Sequence, residues 1–311
     1  MPKRARPSDE DAAATSSAHV KHARQGVGGG IVVSESPMIL LFEAFATPQE
    51  VAALLRMAKV VHAGREFDMS HPSFEWSPAD RALIEDLEKR LGEITGCAPH
   101  AEEMPLLIMR SARSEEGEAK AAERFPSKLH VDVNGGLPRR FASALLYLST
   151  PRDGGQTVFP LALTDASAGA PLSPPEHQRA AGLAASRRLL KARLYHTGSS
   201  KRPEARELEA LISRAPTVHT PPIDAAYSST ADGVGVAIRA RAGNLLVFWT
   251  RDAAGIDAAS WHAGERVAHG AVEDKWLLRK FKEVPKAIFD DPDALATFVG
   301  SSRMPTRGAK Q

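Results

Sequence analysis

Within the stretch KLHVDVNGG, residues 128–136, His130 and Asp132 stand two positions apart in a short apolar run that ends at a glycine pair. If the run is a β-strand, side chains alternate between faces, so His130 and Asp132 project together while Val131 and Val133 project the other way. One imidazole and one carboxylate on a single strand face offer two ligands of a 2-His-1-carboxylate triad, which with open positions suits non-haem Fe(II). The pair alone does not establish a metal. In a chain with 11 histidines an Asp at this spacing arises readily, and a strand-surface hydrogen bond satisfies the same pattern. A metal reading needs a second histidine.

The elements that must position such a pair follow from the rest of the chain. In PMILLFEAFATPQEVAALLRMAKVV, from Pro37, a strand-like run leads to Thr47, Pro48 and Glu50, the N-cap, N1 and N3 signals of a helix. A second helix is expected from Ser77, with Leu83, Leu87 and Leu91 repeating every four positions and Gly96 near its end. PLLIMR (105–110), RRFASALLYLST (139–150), VAIRARAGNLLVFWT (236–250) and KWLLRKF (275–281) read as β-structure, the third as two halves around residues 242–244. Strands joined by turns, preceded by two helices, predict an α+β chain with a double-sheet jelly-roll core and N-terminal supporting helices. A segment of about 161–235 is rich in Ala, Pro, Ser and Arg yet carries two helical patterns, and is read as a partly helical insertion.

The organisation expected is therefore a disordered basic tail over 1–36, one domain over 37–285, and a C-terminal tail over 286–311. A formal charge of +2 is too mild to imply nucleic-acid binding, and 43% hydrophobic with 25% charged residues is an ordinary globular composition. The single cysteine, Cys97, excludes an internal disulfide, and no apolar stretch makes a secretory signal or membrane span, so an intracellular, cytoplasmic or nuclear protein is expected. Lys3, Arg4 and Arg6 fit either a nuclear import signal or a solvated basic tail.

Downstream, SWHAGERVAHGAVEDKWLLRKF (260–281) places His262 beside a small-residue loop and Lys275 at the start of the next strand. Here the chain resembles the Fe(II)/2-oxoglutarate-dependent dioxygenase superfamily, and specifically the prolyl 4-hydroxylase catalytic domain, with its His-x-Asp, distal His and Lys-Trp. RRFASALLYLSTPRDGGQTVFP is similar to the family's Tyr-Leu and Gly-Gly-x-Thr-x-Phe-Pro signature, and RARAGNLLVFW to the strand before the distal histidine. The resemblance covers about 37–160 and 236–281.

What the resemblance implies is a double-stranded β-helix whose metal ligands and catalytic residues are His130, Asp132 and His262. It implies Lys275 as partner of the far carboxylate of 2-oxoglutarate, with Thr157 as an accompanying hydroxyl and Tyr147 either facing the pocket or in the core. Fe(II), 2-oxoglutarate and O2 are the implied cofactors, with ascorbate keeping iron reduced. The implied reaction hydroxylates an unactivated C–H bond, most directly a prolyl residue of a peptide or protein, and releases succinate and CO2. The same chemistry on another residue, a nucleobase or a small molecule is the alternative, and a silent jelly-roll binding module is a third reading. A membrane partner is not expected.

Bland rivals stand beside these residues. His269 competes locally with His262, and Arg279, on the same strand face as Lys275, competes for the carboxylate. The remaining histidines, His196 among them, lack ligand spacing and are expected to be ordinary. The chain also departs from the family pattern. Ser111 stands where a tyrosine is usual, the loop to His130 is longer, Arg266 replaces a common proline, and His262 to Lys275 is about three residues longer than usual. The loop from Ser111 to Ser127 and the insertion are expected to cover the substrate as lid or docking surface.

Overall fold

The computed structural model describes residues 29–60, 67–70, 74–111, 125–133, 138–164, 174–214, 225–229, 234–268 and 273–303. Most of the 111–127 loop, the Asn-Gly-Gly turn, His269, the basic residues before 29 and the last eight residues lie outside the described residues, as do His19, His22, His62, His71 and His219.

Strands β1 (Ile31–Glu35) and β2 (Met38–Phe42) pair antiparallel, so structure begins inside the segment assigned to the tail. Helix α1 (Pro48–Val60) starts at a reciprocal capping box: Thr47 Oγ1 accepts from the Glu50 amide at 3.2 Å, and Glu50 Oε2 accepts from the Thr47 amide at 2.7 Å. After β3 (Phe67–Asp68), helix α2 (Pro78–Thr95) is capped by Ser77 and closed by Gly96 in the left-handed region at φ 66°.

Next come β4 (Leu107–Ser111), β5 (Arg140–Tyr147) and β6 (Thr157–Leu163), then helices α3 (Pro174–Lys191) and α4 (Pro203–Arg214) within the insertion. Strands β7 (Tyr227–Ser229), β8 (Val234–Ile238) and β9 (Leu245–Trp249) follow, then the short pair β10 (Arg251–Asp252) and β11 (Gly255–Ile256). The chain continues through β12 (Ala263–Gly264) and the long β13 (Lys275–Glu283) to α5 (Lys286–Phe289) and α6 (Pro292–Arg303).

These strands form a seven-stranded sheet, order β1-β2-β9-β5-β13-β4-β3, and a four-stranded sheet, order β12-β6-β8-β7, antiparallel throughout. The halves of 236–250 belong to different sheets, so the turn at Gly243 carries the chain across. Gly243 has φ 86°, and a Cβ there would lie 2.7 Å from the Ala46 carbonyl.

Alternation on β5 divides the interior. Ala142, Ala144 and Leu146 face a core shared with Leu54 and Met57 of α1 and Leu87 and Leu91 of α2. Leu145 and Tyr147 face the opposite core, with Phe159, Val236 and Ile238 of the smaller sheet. The two sheets therefore enclose a core between them, and α1 and α2 cover the outer face of the larger sheet, while α3 and α4 pack in a separate core with Leu129, Val131 and Leu161. Residues 286–303, assigned by sequence to a tail, also cover that face, with Val299 buried and Phe298 edge-on to Phe141.

The Gly154-Gly155 pair is required by close approach. Both have φ above 70°, and a Cβ on Gly154 would sit 2.3 Å from the Arg266 carbonyl. Gly154→Ala is expected to lower unfolding stability by about 1–3 kcal/mol through left-handed strain alone, and more through the clash, as measured by denaturant titration.

Candidate metal centre

The 128–133 segment is not a ladder strand as expected. His130 forms isolated antiparallel bridges to His262 on one side and to His196 on the other. On the first side the amide of each of His130 and His262 donates to the other's carbonyl at 3.0 Å. The extended backbone still puts His130 and Asp132 on one face, and the bridge sets His262 against them; the two imidazole centroids are 4.4 Å apart.

Ligand atoms of His130, Asp132 and His262 all lie within 4.8 Å of one another. His130 Nε2 is 3.5 Å from Asp132 Oδ1 and His262 Nε2 is 3.4 Å from Asp132 Oδ2. Each Nδ1 is fixed by a main-chain carbonyl, His130 by Lys128 at 3.1 Å and His262 by Ser260 at 3.0 Å. A carbonyl only accepts, so both Nδ1 atoms carry the proton and a neutral ring presents a bare Nε2 lone pair. Two such lone pairs turned towards one carboxylate are satisfied by a cation between them, and N,N,O donors with Nδ1 anchored in this way suit a divalent metal.

Ser143 Oγ donates to Asp132 Oδ2 at 2.7 Å, fixing the carboxylate plane. Burial alone would raise the Asp132 pKa, but His262 and then His130 hold it well below the usual carboxylate range. Burial, reinforced by His262 and His196 and opposed by Asp132 and the Lys128 carbonyl, lowers His130 from 6.5 to about 4. At neutral pH His130 and Asp132 are therefore in their ligating protonation states. The unfolded chain binds this proton more readily than the folded one, so the metal-free protein should lose stability as pH falls from about 6.5 towards 4. Urea unfolding in a chelator at pH 7 and pH 5 measures this, and His130→Gln should flatten the dependence.

Lys275, 3% exposed, lies on the inner face of β13, with Nζ 5.5 Å from the Tyr147 ring centroid. Burial lowers its pKa to about 8 against the upward pull of Glu265, so it remains mainly protonated at neutral pH. Tyr147 and Thr157 bond to each other through their hydroxyls at 2.9 Å. Burial raises the Tyr147 hydroxyl above its ordinary pKa, so it stays a neutral donor. Gly155 lies against Lys275, since a Cβ there would be 3.5 Å from Lys275 Cδ.

The six residues singled out thus fall into two groups: His130, Asp132 and His262 around one point, and Lys275, Tyr147 and Thr157 around another. Arg279 sits on the same face of β13 but towards Asp132, whose charge it helps hold, with its guanidinium 4.2 Å from the Phe281 centroid.

Sequence reasoning missed Ser143 and His196. Ser143 was detectable as a small hydroxyl on the same face of an apolar strand as Tyr147. A second donor group, Cys97, His100 and Glu103, lies outside this centre, but Lys282 Nζ already stands 2.6 Å from Glu103 Oε1.

No helix among the described residues is long and apolar enough to cross a membrane. No protein-family model matches the chain, and no curated protein sequence does either. Among solved structures the chain is similar to a viral collagen prolyl hydroxylase from Paramecium bursaria Chlorella virus-1 in complex with 2-oxoglutarate, at 14% identity, TM-score 0.41, and 80% of this chain against 96% of that one. It is also similar to a Pseudomonas putida prolyl-4-hydroxylase, at 14% identity, TM-score 0.37, and 80% of this chain against 88% of that one. A third similarity is to iron-bound HygX from Streptomyces hygroscopicus, at 14% identity, TM-score 0.38, and 79% of this chain against 82% of that one. Likeness at this level assigns neither a substrate nor the role of any residue.

Proposed function

We propose that this chain is an Fe(II)- and 2-oxoglutarate-dependent dioxygenase that hydroxylates an unactivated C–H bond, with a prolyl residue of a peptide or protein as its substrate. The observation that carries the reading is the convergence of His130, Asp132 and His262, with both Nδ1 atoms tied to carbonyls and Nε2 atoms aimed at one carboxylate. Two sheets closing over a shared core, with this centre beside the smaller sheet, are what a double-stranded β-helix would provide.

His130, Asp132 and His262 would hold the metal, and Ser143 would keep the Asp132 carboxylate from rotating. Lys275 would bind the far carboxylate of 2-oxoglutarate, where low dielectric strengthens the ion pair and excludes water. Thr157 and Tyr147 would present hydroxyls beside Lys275. When bound, iron with 2-oxoglutarate and O2 supplies the oxidising power for hydroxylation, with succinate and CO2 as by-products and ascorbate restoring Fe(II).

Prolyl specificity rests on the sequence resemblance. Offering proline-rich peptides with Fe(II), 2-oxoglutarate and ascorbate, and reading product masses, tests it: a gain of one oxygen on proline is expected. Oxygen on another residue, or turnover only with a nucleobase or small molecule, would retain the chemistry and overturn the prolyl assignment.

A further inference from the structure

A segment that opens and closes over substrate must separate from the metal centre without disturbing it. The insertion between β6 and β8 is instead bonded to both histidine-bearing segments. On the His130 side, the Val131 amide donates to the Tyr195 carbonyl and the Thr197 amide to the Leu129 carbonyl, each at 2.9 Å. On the His262 side, Ser186 of α3 accepts from the Trp261 indole N–H at 2.7 Å and donates to the Ala258 carbonyl at 2.7 Å. Trp261 is wholly buried and precedes His262. Leu189 of α3 and Leu208 of α4 share one core with Leu129, Val131 and Trp261.

We propose that the insertion is a brace that aligns both ligand histidines, with His196 as the positioning residue for His130 and Ser186 as that for His262. The proposal rests on the metal reading above. His196 Nε2 donates to the Ser127 carbonyl at 2.9 Å, and its Nδ1 accepts from the Gly198 amide at 3.0 Å, so both nitrogens are engaged and His196 is not itself a ligand. Ser127 leads into Lys128, whose φ of 52° is left-handed and whose carbonyl receives the His130 Nδ1 proton. Ser127 Oγ also accepts from the Gly264 amide at 3.2 Å, tying the same turn to β12 just past His262. The His196 ring stacks on that of His130, centroids 6.0 Å apart and planes 27° apart. His196 therefore sets the carbonyl that sets the tautomer and tilt of His130.

The test titrates Co(II) into the full chain and follows the visible absorption of the bound ion, with thermal unfolding of each metal-free variant in parallel. His196→Asn keeps an acceptor near the Gly198 amide but falls short of Ser127, whereas His196→Gln carries an amide donor towards the Ser127 carbonyl. Outer partners of ligand histidines govern metal affinity by about 10- to 100-fold, so His196→Asn should weaken Co(II) binding by that factor and change its absorption. His196→Gln should recover much of both, while the two metal-free variants unfold at matching temperatures. Ser186→Ala, which strands the buried Trp261 indole N–H, should weaken Co(II) by a similar factor.

Wild-type affinity and spectrum in His196→Asn, or equal losses in the Asn and Gln variants, would overturn the role of His196. Wild-type affinity in Ser186→Ala would overturn that of Ser186. A wild-type chain that binds no Co(II) would overturn the metal reading itself, and this proposal with it.

Discussion

Asp132→Ala is expected to abolish stable Fe(II) binding and all turnover that depends on it. The carboxylate is the only anionic donor of the three and the group towards which both Nε2 atoms turn, at 3.4 and 3.5 Å. Removing a mere outer partner costs about 10- to 100-fold in metal affinity, so loss of the ligand itself should exceed about 100-fold. Iron content after desalting and the dissociation constant for Fe(II) under anaerobic conditions measure the effect. Thermal unfolding of the metal-free variant, measured in parallel, separates loss of the ligand from loss of the fold. Ser143→Ala should be milder, weakening metal without abolishing it, since only the orientation of Asp132 is lost.

Lys275→Ala is expected to raise KM for 2-oxoglutarate roughly tenfold or more, since a buried charge-assisted bond to a carboxylate contributes about 1.5–3 kcal/mol. The peptide substrate should feel much less. Lys275 titrates near 8 in the free protein and binds carboxylate only when protonated, so kcat/KM for 2-oxoglutarate should fall as pH rises through about 8. Arg279→Ala is the comparison. The charge of Arg279 acts on Asp132, whereas Lys275 stands against the Tyr147 ring, so a larger effect of Arg279→Ala on 2-oxoglutarate than that of Lys275→Ala would reverse the assignment of the two cations.

The parts of the molecule governed by local rules were legible in the sequence. The Thr47-Pro48-Glu50 and Ser77-Pro78 helix starts, the alternation on β5 and β13 and the His130/Asp132 pair on one side of an extended segment are each written within a few residues. Residues 31–35 and 286–303 read as tails although both carry apolar side chains, because that content acquires meaning only against a partner, β2 for the first and the helix-covered face for the second. The start of α6 did carry a local sign, since Asp291 accepts from the amides of Asp293 and Ala294 just before Pro292. His196 was illegible in principle. Its place beside His130 is set by main-chain bonds between segments far apart in the chain and by packing of α3 and α4, neither of which leaves a spacing to read.

Succinate release from 2-oxoglutarate, measured with and without added Fe(II) in wild type and in folded Asp132→Ala and His262→Ala proteins, tests the central claim most directly. Release by wild type that requires both Fe(II) and O2, and that vanishes in both variants, is the expected result. Release that is independent of iron, or unchanged in either variant, would contradict the assignment of His130, Asp132 and His262 as the metal centre.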